Sequence, residues 1–354
     1  MKKKLILAAS LAAACVFALS ACSVKVETPL SANWQRTTDY DPSYYERLEY
    51  SVAYAGEAAT NTLSIALDAA NSSYTVTTEA LSTYSHNGVG YHEVYHLRSE
   101  LTLAATYTVE KDGQTVEIAS FGGENGDPDT VVSEVWFRSL YDGAALEPIH
   151  SVRTVYSHTP TSIDGEQVSL FNYTVSVSYN EACTDATVQY TDHYADLTNE
   201  ERVVSDHVTK SSLTSAEERT YGSLQKDYSC FDASQLTFAA RGIAFSEESS
   251  NTVTVMSEAG KQQVTMTCSE LTSRLRSFSL DGQEADNSSF SAAKVDFTVS
   301  GNGSYTGPTR TVYYAQKTDG AENRLYNLPV TIEEPVFLSL GTYTYTLQSA
   351  VHTR

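Results

Sequence analysis

Positive charge is scarce in this chain: 23 Lys and Arg stand against 44 Asp and Glu over 354 residues, a formal net charge of -21 at pH 7. Binding to a phosphate backbone needs a basic surface that releases counterions, so a nucleic-acid partner is not expected. Cysteine is also sparse, and no two of the five stand in a C-x-x-C spacing, which removes a zinc ribbon and a thioredoxin-like redox site. Eight prolines and 41% hydrophobic residues fit neither a fibrous nor a disordered chain. After Leu19 nothing approaches the roughly 18 consecutive apolar residues of a spanning helix. Neither a G-x-S-x-G elbow nor a G-x-x-x-x-G-K-[ST] phosphate loop occurs. What is plentiful is Thr, Ser, Val and Tyr, with 24 tyrosines alone. These residues favour strands and turns over helix.

The N-terminus has its own pattern. Lys2, Lys3 and Lys4 precede an apolar run from Leu5 to Leu19, too short to span a bilayer and suited to a signal peptide. The run ends in Leu19-Ser20-Ala21-Cys22, which resembles the bacterial lipobox. That resemblance implies cleavage after Ala21 and a diacylglyceride on Cys22, the membrane being the partner that the acyl chains engage. Cleavage removes three lysines, Cys15 and no acid, leaving the mature chain more acidic still. With Cys22 acylated, Cys183, Cys230 and Cys268 allow at most one disulfide, and Cys268, in phase with Val264 and Met266, reads as a small buried apolar residue.

Residues 22–44 carry Pro29, Ser31, Asn33 and Asp41-Pro42 without periodicity and read as a flexible tether. From Tyr45 to about 350 the chain reads as one extended β domain, with room for two lobes joined near 215–245. Over 91–110 the odd positions Tyr91, Glu93, Tyr95, Leu97, Leu101, Leu103, Tyr107 and Val109 alternate with polar even ones, the period of a strand with one buried face. Phe171 to Tyr179 alternates likewise, and Val188, Tyr190 and Tyr194 follow a turn at 180–185, which predicts a hairpin. Turn signals at Asp112-Gly113, Asp142-Gly143, Asp164-Gly165, Ala259-Gly260, Asp281-Gly282 and Asp319-Gly320 separate strand-like runs such as 250–257, 263–268, 295–300 and 342–348. One helix is expected over 233–241: Asp232 and Gln235 form a capping pair, Leu236, Phe238, Ala239 and Ala240 an apolar face, and Gly242 a C-terminal stop. The fold class is therefore all-β, a long-stranded, curved, open antiparallel meander with one short helix packed on its apolar face. The part of that face left uncovered is expected to form a groove lined by Tyr, Val and Leu.

Val135-Trp136-Phe137-Arg138-Ser139-Leu140-Tyr141-Asp142-Gly143 with Leu146-Glu147-Pro148-Ile149 resembles a strand-turn-strand segment of the exported bacterial proteins grouped as domain-of-unknown-function family 3108. Phe231-Asp232 through Arg241-Gly242 is similar to that family's mid-chain helix, and Val312-Tyr313-Tyr314-Ala315 to its late strand. Arg138, where an acid is commoner, and an acidic insert at 124–129 depart from the pattern. The resemblance implies a continuous open sheet, like that of periplasmic lipoprotein carriers, with no established catalytic residues.

The strongest chemical motif is His92-Glu93-Val94-Tyr95-His96, an H-E-x-x-H. On a helix its imidazoles would share a zinc ion. On a strand four residues span about 13 Å, too far for one metal. The alternation favours the strand, so no metal is expected. Residues Gly122 to Asp129 bring Glu124, Asp127 and Asp129 close in sequence but without EF-hand spacing. Adjacent acids at Glu217-Glu218, Glu247-Glu248 and Glu333-Glu334 face opposite ways on a strand and read as solvated charges. The expected function is that of a non-enzymatic extracytoplasmic lipoprotein at the cell envelope, without cofactor, holding an amphipathic or lipid-like ligand in the groove. The alternatives are glycan or cell-wall binding through exposed Tyr and Trp136 rings, or a structural or adhesive envelope module.

Overall fold

The computed structural model describes residues 40–353 except 57–62, 140–145, 163–164, 214–217, 226–228, 244, 275–277, 285–289, 301–308, 316–326 and 337–339. Cys22, Ala21 and the whole signal segment lie outside the described residues, as do the turns expected at Asp142-Gly143 and Asp319-Gly320, and Asp164 of the turn at 164–165. The first strands are β1 (Tyr45–Gly56), β2 (Leu63–Leu67), β3 (Ser73–His86), β4 (Val89–Leu103), β5 (Ala105–Lys111), β6 (Gln114–Phe121) and β7 (Asp129–Ser139). Then come β8 (Leu146–Pro160), β9 (Val168–Tyr179), β10 (Ala186–Asp192), β11 (Val208–Lys210), β12 (Arg219–Tyr221) and β13 (Cys230–Asp232). A helix, Ala233–Ala239, and a 3-10 turn, Ala240–Gly242, separate these from the last group. That group is β14 (Ser250–Ser257), β15 (Gly260–Arg274), β16 (Ser279–Leu280), β17 (Gln283–Glu284), β18 (Phe290–Ser300), β19 (Arg310–Ala315), β20 (Pro329–Pro335) and β21 (Gly341–Thr353).

Most of these strands join one long sheet. β1 lies in its middle, paired with β3 on one side and β21 on the other. From β3 the sheet continues through β4, β7, β8 and β9 to β10 and β12; from β21 it continues through β20, β19, β18, β15 and β14 to β13. The all-β expectation holds, and the sheet is open, but it is not a plain meander. Three short pairings, β9–β11, β13–β14 and β16–β21, run parallel. The predicted hairpin 171–194 is β9 with β10, Val177 facing Val188. The alternating run 91–110 is two strands: β4 ends at Leu103, and β5 pairs with β2 and β6 in a separate three-stranded sheet. Close packing marks the crossing, where Gly122 has φ 79° and a Cβ there would lie 2.4 Å from that of Ala104.

The long sheet curls around its inner face, where Leu48, Tyr95, Leu97, Val135, Phe137 and Tyr314 are fully buried with the helix. The helix is expected where it is found. Asp232 caps it, accepting from the Ser234 N–H at 2.8 Å. Gln235, however, closes no capping box; its amide donates to the Leu146 carbonyl at 2.9 Å. Gly242 is no left-handed stop either, since the helix tightens into the 3-10 turn that contains it. A further one-turn helix, Asn199–Arg202, carries a full capping box between Thr198 and Glu201. At the end of the expected tether, Tyr40 and Tyr44 pack on Tyr95 with ring centroids 5.4 and 6.0 Å away. The region 215–245, considered as a lobe junction, passes into the interior through β13 and the helix.

Candidate functional site

Two polar assemblies are built by the fold, one on the outer face and one inside. The outer one grows from the H-E-x-x-H segment. It lies on β4, so the motif is a strand, but the ladder to β3 skips Glu93, whose φ is 56°. Glu93, expected on the apolar side, is exposed, while Val94 and Tyr95 are both buried. Beyond Glu93 the tip of the β3–β4 hairpin lies over β7 and β8, so that Leu81, Tyr84 and Tyr91 pack with Val94, Trp136 and Ile149. His92 remains exposed on this tip. His96 is held at both nitrogens, 3.1 Å from Glu79 and 3.2 Å from Glu134, and stacks on Trp136 at 4.6 Å. The two motif histidines therefore do not converge.

Register explains the rest of the row. His96 faces Trp136 on β7, Trp136 faces His150 on β8, and His150 faces Ser178 on β9. Strands stand about 4.8 Å apart, close to ring-stacking distance, so cross-strand rings form a continuous ladder. Trp136 lies near-parallel to His96, to Tyr84 at 5.0 Å and to His150 at 5.3 Å. His86, from the folded tip, stacks on His150 at 4.0 Å. His150 is hydrogen bonded to the Tyr84 hydroxyl at 2.9 Å and to Ser176 Oγ at 3.1 Å, and His86 to Ser178 Oγ at 2.9 Å. Burial, then the neighbouring His86, pushes the His150 imidazole down from its ordinary 6.5 to about 4. Burial lowers His86 as well.

Two Ser–His contacts invite comparison with an activated nucleophile. The geometry lacks the remaining parts. The group orienting His150 is a phenol, not a carboxylate, and Ser176 and Ser178 sit inside β9 with ladder partners on both β8 and β10. Backbone N–H groups spent in a ladder cannot form an oxyanion hole. Nor is Trp136 a sugar platform, because a pyranose stacks on a free ring face and rings from β3, β4 and β8 cover this indole.

The inner assembly surrounds the helix. Arg241 meets Glu46 of β1 with both arms, at 2.5 and 3.0 Å, and His352 of β21 donates to the same carboxylate at 2.8 Å. Burial pushes the Glu46 carboxyl up, but Arg241 and His352 outweigh it and bring the group from 4.5 down to about 2. Asp232 accepts from Ser151 Oγ at 2.5 Å and the Tyr179 hydroxyl at 2.7 Å; burial nevertheless holds its carboxyl above the usual range. The Tyr314 hydroxyl donates to the Thr237 carbonyl, and the Asn327 amide to that of Arg241.

Among the described residues, which exclude Glu217, the acids singled out from the sequence do not assemble. Asp129 turns inward to His158 at 2.6 Å while Glu124 and Asp127 face solvent. Glu334 pairs with Arg310, and Glu218 accepts from Gln189 at 2.6 Å. Arg138 pairs with Glu147 at 3.0 Å across β7 and β8. Among the described residues no group of three or more His, Cys, Asp or Glu is placed to hold a metal ion.

No family model matches the chain, so the resemblance to family 3108 is not shown. No curated protein matches it. Among solved structures it is similar to a beta-barrel-like protein of domain of unknown function DUF1849 from Brucella abortus, at 8% identity and a TM-score of 0.43, over 88% of this chain and 99% of that one. At that level the likeness carries no function over to this chain.

Sequence reasoning missed Tyr84, His86 and His150 as a unit. The signal was present as Asn87-Gly88, a strong hairpin turn, but only the fold of the tip onto β7–β9 brings the three together.

Proposed function

We propose that the chain is a lipid-anchored, non-enzymatic module on the extracytoplasmic face of a cell membrane, acting through its outer surface as a structural or adhesive element. The anchor rests on Leu19-Ser20-Ala21-Cys22. From Cys22 to the first described residue, Tyr40, the chain can reach at most about 60 Å, enough to hold the domain clear of lipid headgroups. Stand-off suits a strongly acidic protein, which anionic lipids repel.

The observation that carries the surface reading is the filled interior. Leu236, Phe238, Ala239 and Ala240 bury themselves in the inner face with Tyr50, Tyr95, Phe137 and Tyr314. The Tyr, Val and Leu side chains expected to line a groove are thereby covered. The large apolar residues that remain exposed among those described are Val89 on β4, the adjacent Val203 and Val204, Leu271 on β15 and Val351 on β21, which lie on four different segments. This favours the structural alternative over a lipid carrier.

Two measurements test the proposal. Cys22→Ala should abolish acyl labelling and move the protein out of the membrane fraction or leave it as precursor; labelling that persists defeats the anchor. Native mass spectrometry of protein gently extracted from cells should show no acyl species beyond the N-terminal modification. A stoichiometric bound lipid would restore the carrier reading.

A further inference from the structure

The open sheet has two ends, and they meet. β10 and β12 form one end and β13 the other, joined in sequence by the short stretch 222–229. No ladder connects them among the described residues, so the closure is made by individual contacts. Lys261 donates to the Ser223 carbonyl at 2.8 Å, the Leu224 N–H to the Thr184 carbonyl at 2.9 Å, and Tyr190 to the Glu258 carbonyl. The Tyr179 hydroxyl, on β9, reaches Asp232 on β13 at 2.7 Å.

Two cysteines lie across this seam. Cys183 occupies the β9–β10 turn and Cys230 opens β13; both are buried, 1% and 0% exposed, in one cluster with Tyr179, Ala186, Val188 and Leu224. The two share that one buried cluster, where the neighbouring Cys183 thiol and then burial push the Cys230 thiol up, and both lie close to the Tyr179 phenol. Cys183 holds a φ of 51°, a conformation that a non-glycine residue adopts at a cost and that aims its side chain inward, against the Pro148 carbonyl at 3.9 Å. Cys268 sits elsewhere, on β15 in the main core.

We propose that Cys183 and Cys230 form a disulfide in the exported protein, closing covalently the seam that backbone pairing leaves open. Each thiol loses a proton to solvent, one Sγ–Sγ bond forms, and two electrons pass to a disulfide-bearing thiol oxidant, which becomes a dithiol. The reaction belongs to folding outside the cytoplasm, before the sulfurs are sealed from solvent, and so rests on the exported location proposed above. Cys268 stays a thiol.

The test is peptide mapping of the full-length product isolated from its host, with free thiols alkylated at lysis and again after denaturation. The expected result is one cross-linked peptide pair joining 183 to 230, with two hydrogens fewer than the reduced pair, and alkylation of Cys268 alone. Three alkylated cysteines in protein lacking residues 1–21, or a cross-link that includes Cys268, overturns the proposal. If the isolated protein retains residues 1–21 in the cytoplasm, the exported location fails instead. The pairing is then read on chain refolded with oxidised glutathione: a 183–230 link sustains the geometry, and its absence in folded protein refutes it.

Discussion

Replacing Arg241 by Met should destabilise the protein more than any change at its surface. Arg241 and Glu46 are each 2% exposed, and their two parallel hydrogen bonds tie the end of the helix to β1. Removing one partner from a buried pair leaves an uncompensated charge, which costs about 3 to 5 kcal/mol. Proton linkage gives an independent figure. The Glu46 carboxyl titrates at about 2 in the folded protein instead of 4.5, which corresponds to about 3 kcal/mol at neutral pH. A depressed carboxylate contributes fully above its unfolded value, so that stability is present above about pH 4.5 and is lost as pH falls toward 2. Urea denaturation at pH 7, followed by far-UV circular dichroism, should show the Arg241→Met loss. The same comparison at pH 3 should show a smaller one, because the wild type has by then surrendered part of the difference. Glu46→Leu combined with Arg241→Met should recover most of the loss, since it removes both buried charges. A single variant within about 0.5 kcal/mol of wild type, or a double variant no better than the single one, would refute the reasoning.

Acidification should also loosen the outer ladder. His86 and His150 are held neutral, with folded values below 6.5, so their contribution is present above that pH and is lost as pH falls toward about 4. Discounted for partial exposure, the effect is about 1 to 2 kcal/mol, read as a shift in Trp136 fluorescence and unfolding midpoint that His150→Phe should flatten. Gly122→Ala should cost about 1 to 3 kcal/mol, because the backbone there has φ 79° and the new Cβ would meet Ala104; an unchanged melting temperature would show that the junction of the two sheets yields. Reducing a 183–230 disulfide, which closes a loop of about 48 residues, should lower stability by up to about 4 kcal/mol, and a Cys183→Ala/Cys230→Ala variant should be insensitive to reductant.

The sequence made the strands legible because their burial is one-sided. Phe171 to Tyr179 alternates and emerges as β9, with Val175, Val177 and Tyr179 buried between half-buried Ser176 and Ser178. Pattern failed where both faces of a strand are covered. At Val94-Tyr95 two consecutive residues are buried, one under the folded hairpin tip and one in the main core, and period two disappears. The break between β4 and β5 was hidden for a related reason: Leu103 and Ala105 keep the alternation while the chain passes from one sheet to another. The site was less legible still. Ring stacking between strands β3, β4, β7 and β8 depends on register among segments up to 70 residues apart, and nothing in a single strand announces it.

The preference for a surface module over a carrier in the proposed function rests on the energetics of the helix. Seven residues are too few for a helix to be stable alone, so this one exists only by packing. Its polar groups are met by groups from across the sheet: Asp232 by Ser151 and Tyr179, Gln235 by the Leu146 carbonyl, the Thr237 carbonyl by Tyr314, and Arg241 by Glu46. Each partner is itself buried, and a buried polar group stripped of its hydrogen bond costs about 1 to 3 kcal/mol. Displacing the helix to admit an acyl chain would strand several such groups together and expose an aromatic interior. A carrier needs a cavity whose opening is cheap, and here the interior opens only by undoing the bonds that hold β1, β8, β9 and β19 around the helix. Under the proposed function, what the molecule would offer to partners is its outer surface, which includes the folded β3–β4 tip, where burial holds the His86 and His150 imidazoles below their ordinary range.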